Sequence, residues 1–203
     1  LLWLSLAFLL PVSVFAAPPP EDTPHYRQVA GTEGAASVAV LKDGTLLSVH
    51  ASEGKILGQR LTSKAETWSA PTARLEVAEG RINLPVVFTG SGGEGLWLFF
   101  SVIANDNEAG AKVQAYTSGD EGATWSPTPL DIAPGQRTGG TPAVSDALMA
   151  VPLRDAQAGV VSVLLSKDQG KTWTLSAPIP LAAEVQAAPA LTVEASGARV
   201  CYI

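Results

Sequence analysis

The sequence predicts an all-β protein that folds as a β-propeller, with four short strands in each blade. Three observations lead to this prediction. The eight-residue motif Ser-x-Asp-x-Gly-x-Thr-Trp occurs twice, at a separation typical of propeller blades. The apolar residues come in short runs bounded by Gly, Pro, Asn and Asp, which is typical of strands joined by turns. About four such runs occur in each period, as expected for blades.

Residues 1–16 are predicted to be a secretory signal peptide. Residues 1–14 are almost entirely apolar, and small residues follow where a signal peptidase would cut, after Ala16. The run is shorter than the roughly 20 apolar residues of a membrane-spanning helix, although an N-terminal membrane anchor is the alternative. Because the basic segment and a starting Met are missing, we expect the chain to begin inside its signal peptide. The expected localisation is secreted, periplasmic or cell-surface.

Residues 17–30 are rich in Pro and polar residues, which predicts a linker between the signal peptide and the folded part. The net charge of −6 and the lack of a Lys/Arg cluster argue against a nucleic-acid partner. The single cysteine, Cys201, excludes an intrachain disulfide, and His25 and His50 are too few for a Cys/His metal site. We therefore predict no metal, no cofactor and no membrane contact beyond the signal peptide.

The repeated motif sets the period of the fold. "SGDEGATW" begins at Ser118, and "SKDQGKTW" begins at Ser166, 48 residues later. A degenerate copy ends at Trp68, 57 residues before Trp125. A helical repeat of similar period is the competing interpretation, but the apolar runs are too short and too rich in β-branched residues for it.

The period divides the folded part, residues 31–203, into three blades and the first half of a fourth. The predicted blades are residues 31–77, 78–133, 134–182 and 183–203. A fourth blade that stops after Ile203 leaves an open edge strand, which is a liability for a secreted protein. We therefore expect the natural chain to continue beyond Ile203.

Each residue type in the motif has a predicted structural role in the turn between the third and fourth strands. The Asp accepts backbone N–H groups, the Gly supplies a positive φ, the Thr begins the returning strand, and the Trp is buried between sheets. A catalytic role for the Asp is the alternative. The residues concerned are Ser118, Asp120, Gly122, Thr124 and Trp125 in the first copy, and Ser166, Asp168, Gly170, Thr172 and Trp173 in the second.

The motif is identified as the Asp-box of BNR repeats, and the arrangement resembles the sialidase (neuraminidase) superfamily. The resemblance covers residues 31–203 and includes "GRINLPVV", "GGTPAVSDALMAVPLRD" and "QAAPALTVEASGARVCYI". It implies a six-bladed propeller, of which about three and a half blades are present. The Asp-box also occurs in non-enzymatic propellers, so it predicts the fold rather than the activity.

The resemblance implies an exo-α-sialidase, a glycoside hydrolase that removes terminal sialic acid. Such an enzyme is implied to use three arginines for the sugar carboxylate, a Tyr nucleophile paired with a Glu, and an Asp as acid/base. At the positions expected for the first arginine and the Glu, this sequence has Gly34 and Ala188. The loop expected to hold the Asp contains Glu53 instead. The remaining arginines and the Tyr are expected beyond Ile203.

Strand order places the beginnings of the innermost strands, and the loops from second to third strands, on one face of the propeller. This face is the predicted mouth, opposite the Asp-box turns. Glu53, as a replacement acid, and Arg154, as an anion-binding group, are the weak catalytic candidates. The residues predicted to bind substrate are Asn83, Asp106, Arg137, Arg154 and Gln186.

Several of these residues have structural alternatives. Arg154 is equally compatible with a surface ion pair to Asp155. The loop at residues 105–108, "NDNE", is compatible with sugar or Ca²⁺ binding through its oxygens, and also with simple exposure to solvent. His50 and Tyr116 are predicted to pack against neighbouring strands rather than to take part in chemistry.

The sequence therefore leaves three hypotheses for function. The first is a secreted sialidase-like protein that acts on or recognises glycans, including sialoglycans, but lacks several expected catalytic residues. The second is a non-catalytic Asp-box propeller that binds a carbohydrate or a protein. The third is a structural repeat module of a larger cell-surface protein.

Overall fold

The computed structural model describes residues 36–65, 67–77, 80–155, 157–180, 189–194 and 197–202. The predicted signal peptide and linker lie outside the described residues. So do Gly34, Ala188 and the predicted substrate-binding residue Gln186.

The described chain is all-β, as predicted, with only three short 3₁₀ turns at Ser91–Gly93, Ala104–Asp106 and Glu108–Gly110. None of the described helical segments is long and apolar enough to cross a membrane. The strands are β1 (Ala36–Val40), β2 (Leu46–Ser52), β3 (Lys55–Leu61), β4 (Thr72–Glu76), β5 (Arg81–Thr89), β6 (Leu96–Ile103), β7 (Lys112–Ser118), β8 (Ser126–Thr128), β9 (Arg137–Thr138), β10 (Ala143–Val144), β11 (Met149–Asp155), β12 (Val160–Ser166), β13 (Thr174–Leu175), β14 (Ile179–Pro180), β15 (Pro189–Glu194) and β16 (Gly197–Tyr202).

The strands form successive antiparallel sheets in chain order. Sheet 1 has the order β1-β2-β3-β4, and sheet 2 has the order β5-β6-β7-β8. Sheet 3 is similar, but its first strand is split into β9 and β10, which both pair with β11. Its last strand is split into β13 and β14, which both pair with β12. The hairpin β15-β16 begins sheet 4. Four-stranded meanders in sequence are the architecture of propeller blades.

Apolar side chains on facing strands form a core between each pair of neighbouring sheets. The core between sheets 1 and 2 contains Leu47, Val49 and Ile56 together with Leu98 and Phe100. The core between sheets 2 and 3 contains, among others, Trp97, Phe99, Met149, Val151 and Leu153. The central strand β6 serves both cores, because alternate side chains point to opposite faces of a strand. All eight residues of β6 are accordingly buried.

The innermost strands of neighbouring sheets are joined by side-chain hydrogen bonds. The Thr89 hydroxyl donates to the Val40 carbonyl at 2.9 Å, and the Ser37 hydroxyl accepts the Val87 N–H at 3.0 Å. Thr138 on β9 makes the corresponding link to β5. These bonds hold β1, β5 and β9 side by side around the propeller axis. The mouth is defined here as the end at which β1, β5 and β9 begin, and the Asp-box turns lie at the other end.

Candidate functional site

The first Asp-box turn, between β7 and β8, is closed by a network centred on Asp120. Oδ1 of Asp120 accepts the Ser118 hydroxyl at 2.7 Å and the Thr124 N–H at 2.8 Å. Oδ2 accepts the Thr124 hydroxyl at 2.6 Å. The Ser118 oxygen in turn accepts the Gly122 N–H at 2.8 Å. The Asp therefore clamps the turn, as the sequence predicted, and both of its carboxylate oxygens take part.

The second turn, between β12 and β13, repeats this network. Asp168 accepts the Ser166 hydroxyl at 2.9 Å, and it accepts the N–H and hydroxyl of Thr172 at 2.9 and 2.6 Å. In both turns the Thr hydroxyl is the main group that lowers the pKa of the Asp carboxyl below its ordinary value. The box aspartates are therefore held as anions, which does not suit a role as general acid.

Two details of the boxes differ from the prediction. The Thr does not begin the returning strand, because its hydroxyl is turned back onto the Asp, and β8 starts only at Ser126. The residue before each box Gly is also left-handed, with φ of 59° at Glu121 and 60° at Gln169. Two successive left-handed residues make the turn tight enough for the Ser and Thr hydroxyls to reach the carboxylate.

The box clamp predicts how stability depends on pH. We expect Asp120→Asn to lower the thermal midpoint at pH 7, because the amide nitrogen that replaces one carboxylate oxygen cannot accept a hydrogen bond from Thr124. The folded-state pKa of Asp120 is lowered, so its contribution is present above the unfolded pKa of about 3.9 and is lost as the pH falls below it. The difference in unfolding free energy between parent and variant should therefore narrow below about pH 4.

Chemical denaturation of both proteins between pH 7 and pH 2.5 measures this difference. Asp131→Asn is the matched control, because Asp131 is an exposed carboxylate outside the boxes. If Asp120→Asn and Asp131→Asn had the same effect at pH 7, the clamp would not contribute to stability.

A cleft opens at the mouth between sheets 1 and 2, with a volume of about 790 Å³. It is lined by the β2–β3 turn, which carries Ser52 and Glu53, and by the beginning of β5, which carries Arg81 and Ile82. Glu53 is exposed and left-handed, with φ of 48°, because it occupies the tip of a two-residue turn. The cleft thus offers a hydroxyl, a carboxylate and a guanidinium beside the apolar residues Ala51 and Ile82.

A second feature of the mouth is an ion-pair network that joins sheets 2 and 3. Both carboxylate oxygens of Glu108 are engaged: Oε1 accepts from Arg81 Nη2 at 3.1 Å, and Oε2 accepts from Arg137 Nη1 at 2.6 Å. Arg81 also lies 3.9 Å from Asp106, measured from Nε to Oδ1. Glu108 therefore ties the beginnings of β5 and β9 together and fixes the Arg81 guanidinium at the edge of the cleft.

The sequence of residues 50–202 matches the model of a protein family described as the BNR repeat-like domain. The chain belongs to the BNR repeat-like domain family. The match covers well over half of the chain and includes both Asp-boxes. The predicted Asp-box propeller family is thereby confirmed. No curated protein matches the chain in sequence.

Solved structures share the propeller fold of this BNR-repeat chain at low sequence identity. One is a protein of unknown function from Dyadobacter fermentans, with TM-score 0.60, 17% identity, and coverage of 82% of this chain and 61% of that one. Another is an α-L-arabinanase from Penicillium chrysogenum complexed with arabinobiose, with TM-score 0.56, 15% identity, and coverage of 82% and 56%. The chain thus spans about three fifths of the length of these two proteins.

Most of the predicted mouth residues of this BNR-repeat chain are in the part that the structure describes. Asp106 is almost fully exposed, Asn83 and Arg137 are half-buried, and Arg154 lies directly across from Arg137 in the β9–β11 pairing. Oδ1 of Asp155 accepts the N–H groups of Gln157 and Ala158 in the turn that follows β11. The structure brings Arg137 and Asp106 into the Glu108 network. Their role in substrate binding stays a prediction.

The structural roles expected for His50 and Tyr116 agree with their surroundings. His50 is buried in β2, and this burial lowers its pKa, so the ring is neutral at pH 7. The Tyr116 ring stacks on Phe100 with centroids 5.6 Å apart. Among the described residues, no group of His, Cys, Asp and Glu is placed to hold a metal ion.

Two residues of the mouth region were missed in the sequence. Glu108 was treated only as part of the "NDNE" loop, although it links two arginines. Thr138 was not singled out in the sequence, but it is buried and hydrogen-bonded to β5. The signal available for Glu108 was its charge, which is opposite to that of the arginines that begin β5 and β9. Nothing local in the sequence indicated the second, since its partners lie on another sheet.

Proposed function

We propose that this chain is part of a secreted, glycan-directed BNR-repeat propeller that binds carbohydrate in the mouth cleft between sheets 1 and 2. The observation that supports this most is the cleft itself. Its volume of about 790 Å³ falls within the range of roughly 300–1,000 Å³ typical of small-molecule sites. It also opens at the mouth, the end at which the innermost strands begin.

The chemistry of the cleft suits sugar hydroxyl groups. A hydroxyl both donates and accepts hydrogen bonds, and the cleft offers Glu53 as an acceptor, Arg81 as a donor and Ser52 as both. Arg81 is paired with Glu108, which leaves its guanidinium at the edge of the cleft. The arabinobiose bound to the Penicillium arabinanase supports a sugar ligand for a propeller of this fold.

Hydrolysis of terminal sialic acid or of another glycoside is the second candidate. Glycoside hydrolysis generally requires a pair of carboxyl groups, or a Tyr nucleophile with an acid. Among the described residues that line the cleft, Glu53 alone carries a carboxylate, and there is no Tyr. Glu53 is therefore the candidate acid of such an enzyme among the described residues of the cleft. The described geometry supports binding more fully than catalysis.

A glycan array carrying α-sialosides, arabino-oligosaccharides, uronic-acid oligosaccharides and neutral pyranose oligosaccharides tests the proposal on the full-length protein. We expect binding to at least one class. Glu53→Gln should weaken binding about ten-fold, because a hydrogen bond to a charged group contributes about 1.5–3 kcal/mol. Glu94→Gln is the matched control, since Glu94 is an exposed carboxylate at the opposite end of the sheets.

The outcomes separate the hypotheses. Absence of binding to every class, or equal binding by the parent and Glu53→Gln, would contradict the cleft as the site. Release of 4-methylumbelliferone from its sialic acid conjugate by the parent, abolished in Glu53→Gln, would establish the enzyme. Binding without release would support the non-catalytic module.

A further inference from the structure

Leu84 has a backbone conformation that is unusual for a Leu and unusual for a residue that precedes a proline. Its φ is 44°, in the left-handed region, although Leu84 lies in the middle of β5. Bulky apolar residues rarely adopt this region, which Gly, Asn and Asp tolerate far better. The next residue is Pro85, and a residue before proline is driven toward extended conformations. The backbone at Leu84 is therefore strained, and the surrounding structure must hold it.

The strain coincides with a β-bulge. The pairing of β5 with β6 is regular up to Asn83 opposite Ser101 and resumes at Val86 opposite Phe99, which leaves one extra residue on β5. At this bulge, Leu84 is 39% exposed although β5 is an innermost strand. Val86 and Val87, which follow, are buried in the cores on either side.

A hydrogen-bond chain from sheet 3 holds the bulge. The buried Thr138 hydroxyl donates to the Leu84 carbonyl at 2.7 Å. The same oxygen lies 3.2 Å from the Ser101 hydroxyl, and Ser101 accepts the Thr138 N–H at 2.8 Å. Since the Thr138 proton goes to Leu84, Ser101 donates to Thr138. The Thr138 hydroxyl also lies 3.3 Å from the Asn83 carbonyl, so Thr138 holds the backbone on each side of the Leu84 side chain.

We propose that Leu84, on the innermost strand β5, contacts a sugar ligand that extends from the mouth cleft, and that Thr138 is the residue that positions it. This inference rests on the carbohydrate binding proposed above. If the bulge were needed only for packing, Asn or Gly at position 84 would form it without strain. A strained Leu that is exposed has a function if its side chain contacts a ligand. The C–H face of a sugar ring is an apolar surface of matching size, and Asn83 beside it offers an amide for the hydroxyls.

The position of Leu84 also defines the class of ligand. Leu84 is three residues along β5 from Arg81, which lines the cleft. At the rise of a β-strand this places it ~10 Å along β5 from Arg81, away from the end at which the strand begins. A ligand that contacts both residues is longer than one sugar ring. The structure thus favours an oligosaccharide whose chain runs from the cleft along β5.

Leu84→Asn in the full-length protein tests the contact. Asn tolerates a positive φ, so we expect unchanged or higher stability in chemical denaturation. Binding of the best-bound oligosaccharide of the array described above should weaken roughly three- to ten-fold, because an apolar contact is lost. A variant that merely damaged the fold would lose stability and affinity together. Unchanged affinity would overturn the role of Leu84.

Thr138→Val and Thr138→Ser test the positioning. Val keeps the shape but removes the hydroxyl, and we expect it to weaken binding at least as much as Leu84→Asn. Ser keeps the hydroxyl, and we expect it to retain most of the parent affinity. If Val and Ser weakened binding equally, the hydroxyl would not position Leu84.

If the parent bound no oligosaccharide of the array, the proposed function and this inference would both be wrong. Binding that is insensitive to substitution of Leu84 would overturn this inference alone.

Discussion

Gly170→Ala is expected to lower the free energy of unfolding by about 2–5 kcal/mol. A Cβ at this position would lie 1.9 Å from Cζ2 of Trp97 and 2.4 Å from its Cη2, so the ring or the box turn must move. Overpacking of this kind typically costs about 1–3 kcal/mol. The left-handed φ of 84° adds about 1–2 kcal/mol for any residue with a Cβ. Urea denaturation followed by tryptophan fluorescence measures the loss.

Two other glycines provide graded controls. Gly159 has a similar φ of 64°, but a Cβ there would meet nothing within 4 Å. Gly159→Ala should therefore show only the conformational cost of about 1–2 kcal/mol. Gly122→Ala should be intermediate, because its nearest neighbour is the flexible end of Leu47 at 2.9 Å. An equal effect at positions 170 and 159 would contradict the close contact between the second box and sheet 2.

Phe99→Ala is expected to lower the free energy of unfolding by about 3–5 kcal/mol, as is typical for a buried aromatic residue. Phe99 is fully buried between sheets 2 and 3. Its ring stacks on Phe88 and Trp97 at centroid distances of 5.9 and 6.1 Å, and Trp173 meets it edge-on at 5.1 Å. The cavity left by Ala would therefore open the centre of the contact between the two sheets.

Leu175→Ala is the control for this prediction, because Leu175 lies on β13 of sheet 3 but is 40% exposed. It should cost less than about 1 kcal/mol. If Phe99→Ala were as mild as Leu175→Ala in the same denaturation experiment, sheets 2 and 3 would not be packed through this cluster.

The Asp-boxes explain why so much of the fold could be predicted from the sequence. Each box is a local network within seven residues, from Ser118 to Thr124, so its residue types reveal its geometry directly. The box Trp and Gly in turn contact the neighbouring sheet. Trp173 packs into the core between sheets 2 and 3, and Gly170 makes room for Trp97. Period and strand order follow from these local signals.

The mouth was harder to predict, because its geometry depends on contacts between sheets. The link from Thr138 to Leu84 spans 54 residues, and the pair formed by Glu108 and Arg137 spans 29. No local pattern specifies either contact. The split of the innermost strand of sheet 3 into β9 and β10 was equally hidden, although Gly139 and Pro142 between them are residues that interrupt strands.

Hydrogen–deuterium exchange of the full-length protein, with and without the best-bound oligosaccharide of the array, tests the mouth as the binding site most directly. The account predicts slower exchange on binding in peptides covering residues 51–54 and 80–84, at the cleft and along β5. Exchange in the box turns at residues 118–125 and 166–173 should be unchanged. Protection confined to the box turns, with none at the cleft, would contradict the account.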